Sequence, residues 1–286
     1  MRGYAGNPQG QHMETPEPNT TTLAGEAITE LPHFDLEPEK EISGNVTMSR
    51  ALAESAHGLT LNEARVMMLA LRCINPRSSP YQYNRDGYVK VRVHAAEFAE
   101  LANLAPNSDG YTPRAAYEGL KGACAKLYQR TANWREGKKE IHMRWVFRAE
   151  YHDNEAWAEV HFSPDMSQHI FMLGEKFVRY RLEYARGLRS VYSTNLLRLL
   201  MTQKDTGFKT ITLEDFRAAM EVPESYRYGD IKRYAILSAV KELNEKADLY
   251  IEWKETKRGR SVYSLQFTFK YVKNQAAAQT ELDLNG

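Results

Sequence analysis

The chain has 286 residues, a formal charge of +1, 42% hydrophobic and 26% charged residues, which is the composition of a globular protein of one or two domains. Its longest apolar run, 66–71, is too short to span a bilayer, and its two cysteines cannot build a disulfide framework. The N-terminus lacks the basic-then-apolar layout of a secretion signal, so we expect a cytoplasmic protein.

The charge is distributed unevenly along the chain. Residues 1–46 hold two basic and eight acidic side chains and five of the eleven prolines, which predicts a disordered acidic arm. Residues 274–286 form a tail with a net charge of −2. The body between them, 47–273, holds 36 basic and 27 acidic residues and is therefore at +9. This favours a polyanionic partner such as nucleic acid, although separation of charge for solubility alone would give the same numbers.

The first half of the body predicts helices followed by strands. A helix at 60–74 begins with a capping box of Thr60 and Glu63 and ends at Asn75-Pro76. The later elements are a strand at 88–93, a helix at 94–103, a turn at 107–110, a helix at 112–128, strands near 128–134, 141–150 and 156–162, and a short helix opened by Ser163-Pro164.

The second half repeats this order. Its predicted elements are helices at 193–203, 213–220 and 228–247 and strands at 208–211, 249–253 and 261–269, the last two joined by 255–260. Val93 and Phe98 recur as Ile211 and Phe216, 118 positions on. Five apolar positions of the longer helix recur 116 positions on: Ala115, Leu120, Ala123, Cys124 and Leu127 as Ile231, Ile236, Ala239, Val240 and Leu243. We therefore predict two copies of one α+β module, with domains at 47–165 and 190–273 and a linker at 166–189.

Helix, turn, helix and a two-stranded hairpin make up the winged-helix form of helix-turn-helix, whose second helix enters the major groove of DNA. In the first module, Arg114, Tyr117 and Lys121 lie opposite the apolar stripe of the helix at 112–128. Two cations and an aromatic ring suit phosphates and bases, so these three residues are candidate DNA contacts. A solvated charged face would show the same pattern.

The corresponding helix of the second module has a less regular pattern. Arg233 lies off its apolar stripe, whereas Lys232 falls inside the stripe on a strict helical wheel, so Arg233 is the stronger candidate. The approach at 225–228, which includes Arg227 and Tyr228, offers hydroxyl groups and helix N-terminal amides to a phosphate. Leu237 shares the outer face, where it suits either a thymine methyl group or packing against a neighbour.

The predicted hairpin tip is the sharpest local signal. Lys257, Arg258 and Arg260 flank Gly259 between two strands. Glycine permits the positive φ of a tight turn, and the three cations can reach a flanking phosphate or the minor groove. Solubility alone would explain one or two such cations.

The second module resembles a known family. Its basic pair Lys232-Arg233, its helix end 241–244 (KELN), its wing 257–260 (KRGR) and its closing strand 265–269 (LQFTF) are similar to the C-terminal winged helix of the theta-type plasmid replication initiators, the initiator replication protein family. Upstream, 189–193 (RSVYS) leading into 196–200 (LLRLL) is similar to the family's entry into that domain. The resemblance covers about 50–270 and leaves out the acidic arm.

The resemblance implies a fold and a function. The fold is α+β, with two tandem winged-helix domains. As monomers, family members bind direct repeats (iterons) of double-stranded DNA in a plasmid origin, help to open the duplex, and recruit host replication initiator and helicase proteins. As dimers through the first domain, many repress their own gene. The implied iteron contacts are Arg227, Lys232, Arg233, Lys257, Arg258 and Arg260.

Catalytic signatures are missing from the sequence. It has no His-hydrophobic-His pair of the kind used for strand nicking and no glycine-rich phosphate loop, since 174–176 (GEK) lacks the glycine spacing. His161 could face Asp165, but a structural histidine is the more frequent outcome. The four tryptophans fall in predicted strands, which favours core packing over base stacking. We therefore expect no enzyme activity, cofactor or metal, and keep as the alternative function a winged-helix repressor without a replication role.

Overall fold

The computed structural model describes residues 43–55, 58–77, 88–106, 112, 114–136, 138–152, 155–171, 173 and 177–272. The predicted turn at 107–110, the tail at 274–286 and nearly all of the predicted acidic arm lie outside the described residues. None of the helices within these ranges combines the length and the apolar character needed to cross a bilayer.

The first half contains seven strands and five helices within the described residues. They are β1 (Asn45–Ser49), α1 (Arg50–Glu54), α2 (Leu61–Arg72), β2 (Lys90–His94), α3 (Ala95–Ala102), α4 (Arg114–Gln129), β3 (Thr131–Glu136), β4 (Lys139–Arg144), β5 (Val146–His152), β6 (Trp157–Phe162), α5 (Ser167–Ile170) and β7 (Phe177–Arg181). The predicted capping box of α2 is confirmed, because the Thr60 amide donates to the Glu63 carboxylate at 2.8 Å.

The second half contains α6 (Val191–Met201), β8 (Phe208–Thr212), α7 (Leu213–Met220), α8 (Tyr228–Asp230), a π-helix (Ile231–Leu237), α9 (Ser238–Lys246), β9 (Leu249–Arg258) and β10 (Ser261–Tyr271). Since α8, the π-helix and α9 follow one another without a break, we refer to them together as helix 228–246. The predicted helix at 213–220 is confirmed to the residue.

The predicted duplication is confirmed by the topology. The first module has a three-stranded antiparallel sheet in the order β2-β6-β5, and the second has the same arrangement in the order β8-β10-β9. The short helix after the first strand ends in each module at a residue with left-handed backbone, Asn103 (φ 53°) and Glu221 (φ 54°), 118 positions apart. Both modules therefore have the winged-helix fold, and the chain is an α+β protein of two tandem winged-helix domains.

The structure gives a different account of the segments outside the modules. β1 begins at Asn45, inside the predicted arm, and pairs antiparallel with β7, which lies in the predicted linker 166–189. The linker also contains α5 and a 3-10 turn at Leu182–Ala185. The sequence does not predict these elements. A five-residue strand such as β7 has little periodicity of its own, because its pairing is specified by a partner far away in the chain.

Three smaller predictions were wrong. The single strand at 141–150 is two strands, since buried Trp145 separates β4, which pairs with β3, from β5. The loop at 255–260 is mostly strand, because β9 continues to Arg258. Ala115 is exposed, and Ala116 occupies the buried position in its place.

The two modules share a hydrophobic core and a polar junction. Arg65 of α2 donates to the Leu188 carbonyl oxygen at 2.7 Å. The Glu242 carboxylate of α9 accepts from the Arg189 amide at 2.8 Å and from the Ser193 hydroxyl at 2.6 Å. Charged groups therefore hold the connecting segment at 188–193 from both sides.

Candidate nucleic-acid interface

Helix 228–246 is fixed in place by its cap and by an apolar stripe. At its start, the Arg227 amide donates to the Asp230 carboxylate at 2.9 Å, as in a capping box. The buried stripe faces the β-sheet and α6 and consists of Ile231, Ala235, Ile236, Ala239, Val240 and Leu243. The outer face of the helix, on the opposite side, is left to solvent.

The π-helical segment changes which side chains face outward. A π-helix closes i→i+5 hydrogen bonds and turns less per residue than an α-helix. Lys232, which a strict α-helical wheel places inside the apolar stripe, is only partly buried. Its ammonium group lies 5.4 Å from the centre of the Trp253 ring and 3.5 Å from a Glu255 oxygen, so it faces the hairpin.

The outer face of helix 228–246 carries cations and large apolar side chains together. Arg233 is exposed, and its guanidinium lies 5.3 Å from the centre of the Tyr234 ring, which is itself 43% exposed. Leu237 is 47% exposed, and the Lys241 side chain is 77% exposed, with its ammonium group 3.9 Å from a Glu245 oxygen. Cations and large apolar side chains together could contact a ligand that is both anionic and partly apolar.

The wing is a long twisted hairpin with three cations at its tip. β9 and β10 have 10 and 11 residues, and their register shifts at a bulge between Val262 and Ser264. Gly259 has φ 62° and open space around it, as the turn requires. Lys257, Arg258 and Arg260 are all exposed, and Arg258 stacks on Tyr263 with 3.4 Å between its guanidinium carbon and the ring centre.

Glu255 joins the wing to the start of helix 228–246. Its carboxylate accepts a hydrogen bond from the Tyr228 hydroxyl and lies 3.5 Å from the ammonium groups of Lys232 and Lys257. The hydrogen bond from Tyr228 lowers the pKa of Glu255, and the charge of Lys232 lowers it further. Burial and the bond to Glu255 raise the pKa of Tyr228. Two of the predicted contact residues, Tyr228 and Lys232, thus position the helix against the wing.

In the first module, both cations of the predicted DNA-contacting face already have partners within the protein. Arg114 is 91% exposed, but its guanidinium lies 3.6 Å from the Glu118 carboxylate. Tyr117 packs partly against the core. The Lys121 ammonium group lies 6.0 Å from the centre of the Tyr117 ring and 5.6 Å from that of Tyr151. The structure therefore brings the three residues onto one face, with part of their charge offset by Glu118.

Sequence reasoning missed Tyr234 and Tyr263. Both are large apolar residues next to a cation that they support, Arg233 and Arg258. Tyr234 also packs against Tyr226, with 5.8 Å between ring centres. For Tyr234, the signal available was an aromatic residue directly after a candidate arginine. Tyr263 has no such signal, because the hairpin brings it to Arg258.

A cluster of Glu150, Glu159 and His161 lies on the sheet of the first module, and its donor atoms lie within 4.8 Å of one another. His161 contacts Glu159 at 2.9 Å and Glu150 at 3.5 Å, rather than Asp165. Cations already pair with both carboxylates, since Lys90 and Arg92 contact Glu159 and Arg148 contacts Glu150. Burial raises the pKa of Glu159, but the hydrogen bond with His161, the charge of Lys90 and the hydrogen bond from Arg92 outweigh burial and lower the pKa to about 2. The donor set could hold a metal ion only by displacing these cations.

The fold and this surface define a tandem winged-helix protein whose second module presents exposed cations on a helix and at the tip of a hairpin. Models of the initiator replication protein family match both modules, the first (WH1) over residues 45–201 and the second (WH2) over 212–269. The chain belongs to the initiator replication protein family.

The chain is also similar to individual proteins. The chain is similar to the Pi initiator protein, solved in complex with iteron DNA, with a TM-score of 0.69, 19% identity, and coverage of 82% of this chain and 100% of that one. It is also 22% identical over 229 residues to an uncharacterized 27.6 kDa protein of Escherichia coli, covering 77% of this chain and 93% of that protein. The WH1 domain of the replication protein MSBI1.176, from a multiple sclerosis patient, is 27% identical over 37% of this chain and 74% of that chain, with a TM-score of 0.24.

Proposed function

We propose that this protein initiates replication of a plasmid-type replicon by binding iteron repeats in double-stranded origin DNA, without catalysing a reaction. Family membership supports the role of initiator, and the Pi protein, which has the same fold, was solved on iteron DNA. The single observation that carries the proposal for this chain is the exposed face of helix 228–246 beside the cationic wing.

The two elements have different tasks in this proposal. Helix 228–246 enters the major groove, where Arg233 donates to a guanine or a phosphate. Arg258 and Arg260 of the wing contact a flanking phosphate or the minor groove. Arg227 and Lys257 add DNA contacts at the edge of the same surface. Lys232, which faces the hairpin, adds positive charge close to that surface.

In the proposal, the first module adds further DNA contacts to those of the second. Arg114, Tyr117 and Lys121 contact DNA through the outer face of α4. The same module mediates dimerisation, and the dimer represses the protein's own gene. Bound monomers help to open the duplex and recruit the host replication initiator and helicase in the cytoplasm.

Binding assays test the core of the proposal. In a gel-shift titration, the full chain should bind tandem repeats from the DNA next to its gene far more tightly than scrambled DNA of equal composition. Typical specific sites are bound about 10³-fold or more above non-specific DNA. Equal affinity for the two probes would reject the proposal.

A replication assay separates an initiator from a repressor. A minimal circular replicon that carries the repeats should be maintained in cells only when the intact gene is supplied. If the chain binds the repeats and represses transcription but does not support maintenance of the replicon, the repressor function is correct and the initiator function is wrong.

A further inference from the structure

The outer face of helix 228–246 has a pattern that charge attraction alone does not explain. Leu237 is a purely apolar side chain, 47% exposed, at the middle of the face that the proposed function turns toward DNA. Arg233 precedes it by four residues and Lys241 follows it by four. A single exposed leucine is ordinary on a protein surface, but this one lies between two cations on the face turned toward DNA, where it offers nothing to a phosphate and can contact only an apolar group of the ligand.

The π-helical segment aligns the two cations. An α-helical step of four residues advances about 40° beyond a full turn. A π-helix has about 4.4 residues per turn, so the same step falls short of a full turn by about 30°. The step from Arg233 to Leu237 lies in the π-helix and the step from Leu237 to Lys241 lies in α9, so the two drifts nearly cancel. Arg233 and Lys241 therefore face almost the same direction, and Leu237 lies between them along the helix axis, about 30–40° to one side.

The neighbouring aromatic residue does not fill the same role. Tyr234 is exposed as well, but its ring is engaged by Arg233 at 5.3 Å and by Tyr226 at 5.8 Å. Tyr234 therefore packs against Arg233 on one side and against Tyr226, just before the helix, on the other. Leu237 remains the apolar group that is open to a ligand.

In the major groove, the apolar group that a leucine can recognise is the C5-methyl group of thymine. We propose that Leu237 is a specificity-determining residue that recognises a thymine methyl group in each DNA repeat. The three side chains follow one another at about 5–6 Å along the helix, which is less than two base-pair steps, so Arg233 and Lys241 contact groups on either side of that thymine. This inference rests on the proposed function and names the chemical group that the helix recognises.

The test removes a single methyl group from the DNA. The probe is the duplex that the full-length chain selects from a random pool, with each thymine in turn replaced by deoxyuridine, which keeps every hydrogen-bonding group. The wild-type chain should lose about fourfold in affinity at one or two positions, the factor that corresponds to about 0.8 kcal/mol for one buried methyl-sized group.

Two leucine variants complete the cycle. Leu237→Ala should bind the unmodified probe about fourfold more weakly, and deoxyuridine at the sensitive position should cost it nothing further. Leu104→Ala removes an equally exposed leucine of the first module and should discriminate thymine from uracil as the wild type does. Circular dichroism confirms that both variants are folded.

The outcomes separate this inference from the function on which it rests. If a probe is selected but no deoxyuridine substitution weakens binding, or if Leu237→Ala loses the same factor as the wild type, Leu237 does not read a methyl group and sequence-specific binding still stands. If no sequence is enriched from the pool, the proposed function fails and this inference fails with it.

Discussion

The two modules have the same elements in the same order, the same sheet topology and even the same left-handed cap after their short helix. Their surfaces differ. In the second module, Arg233, Arg258 and Arg260 are exposed and form no salt bridge within the described residues. In the first module, the corresponding helix pairs Arg114 with Glu118.

The hairpins differ in the same direction. β9 and β10 have 10 and 11 residues and a basic tip, whereas β5 and β6 have 7 and 6. The first module also inserts the hairpin β3–β4 between its long helix and its sheet, and the second has no such insertion. The duplicated fold therefore determines the positions of the helix and the wing in each module. The side chains on these two elements determine whether they can bind a polyanion.

The largest expected effects are on the free energy of unfolding, and they test whether the two modules unfold together as one cooperative unit. Phe98 and Phe216 occupy corresponding, fully buried positions, and each belongs to the common core. Phe98→Ala and Phe216→Ala should each lower the free energy of unfolding by about 3–5 kcal/mol, because each leaves a cavity. In urea titrations followed by circular dichroism, both variants should show a single shifted transition.

The control is Phe208→Ala, which truncates an exposed phenylalanine and should have little effect. If Phe98→Ala gives two separate transitions, the modules unfold independently and the common core does not couple them.

The junction should be sensitive to acid through one carboxylate. Glu242 accepts from the Arg189 amide and the Ser193 hydroxyl, and the Lys246 ammonium group lies 2.7 Å away. Burial alone raises the pKa of Glu242, but the hydrogen bonds and the charge of Lys246 outweigh burial and lower it. Glu242→Gln should cost about 1.5–3 kcal/mol at pH 7, since it removes hydrogen bonds to a charged group.

The pH dependence of this difference has a definite sign. A carboxylate with a lowered pKa stabilises the fold above its unfolded value of about 4.3, and this contribution is lost as the pH falls through the lower, folded value. The stability gap between wild type and Glu242→Gln, measured by urea titration, should therefore close as the pH falls below about 4. A gap that is constant down to pH 2 would mean that the charge of Glu242 does not stabilise the junction.

Matched arginine variants test the difference between the two surfaces. Arg233→Ala should cost about 1–3 kcal/mol of binding free energy on the specific probe, because an outward arginine in the groove makes direct contacts. Arg114→Ala should cost less, because Glu118 already offsets its charge and exposed pairs contribute little. Gel-shift titrations of both variants against the same probe measure the two effects. Equal losses would make the first module an equal partner in recognition.

The duplication was predictable because buried positions follow a period. Leu120, Cys124, Ile236 and Val240 are buried where the helical pattern put them. The β1–β7 pair was not predictable, because its paired residues are 128 to 136 positions apart in the chain and neither strand has a distinctive pattern alone.

The candidate site was predicted in part. Arg233 and the wing tip were read directly from the sequence, and both are exposed. The helical wheel left open whether Lys232 points over the rim of the core, and its contacts with Trp253 and Glu255 were not predictable because they form only when the wing folds against the helix. The role of Glu255 was also hidden, since its partners Tyr228 and Lys232 are brought to it only when the wing folds against the helix.

The smallest expected effect concerns the wing tip. Arg260 is exposed beside Gly259 and contacts phosphate in the proposed function, so Arg260→Ala should weaken binding to all sequences by a similar factor. A plot of log affinity against log salt concentration should become less steep by about one ion, because one phosphate contact releases about one counterion. The matched variant Lys139→Ala, at the tip of the hairpin β3–β4 in the first module, should leave the slope unchanged. If both variants reduce the slope equally, the wing of the second module and the hairpin β3–β4 of the first contribute equally to DNA binding. The difference between the two modules then does not extend to their hairpins.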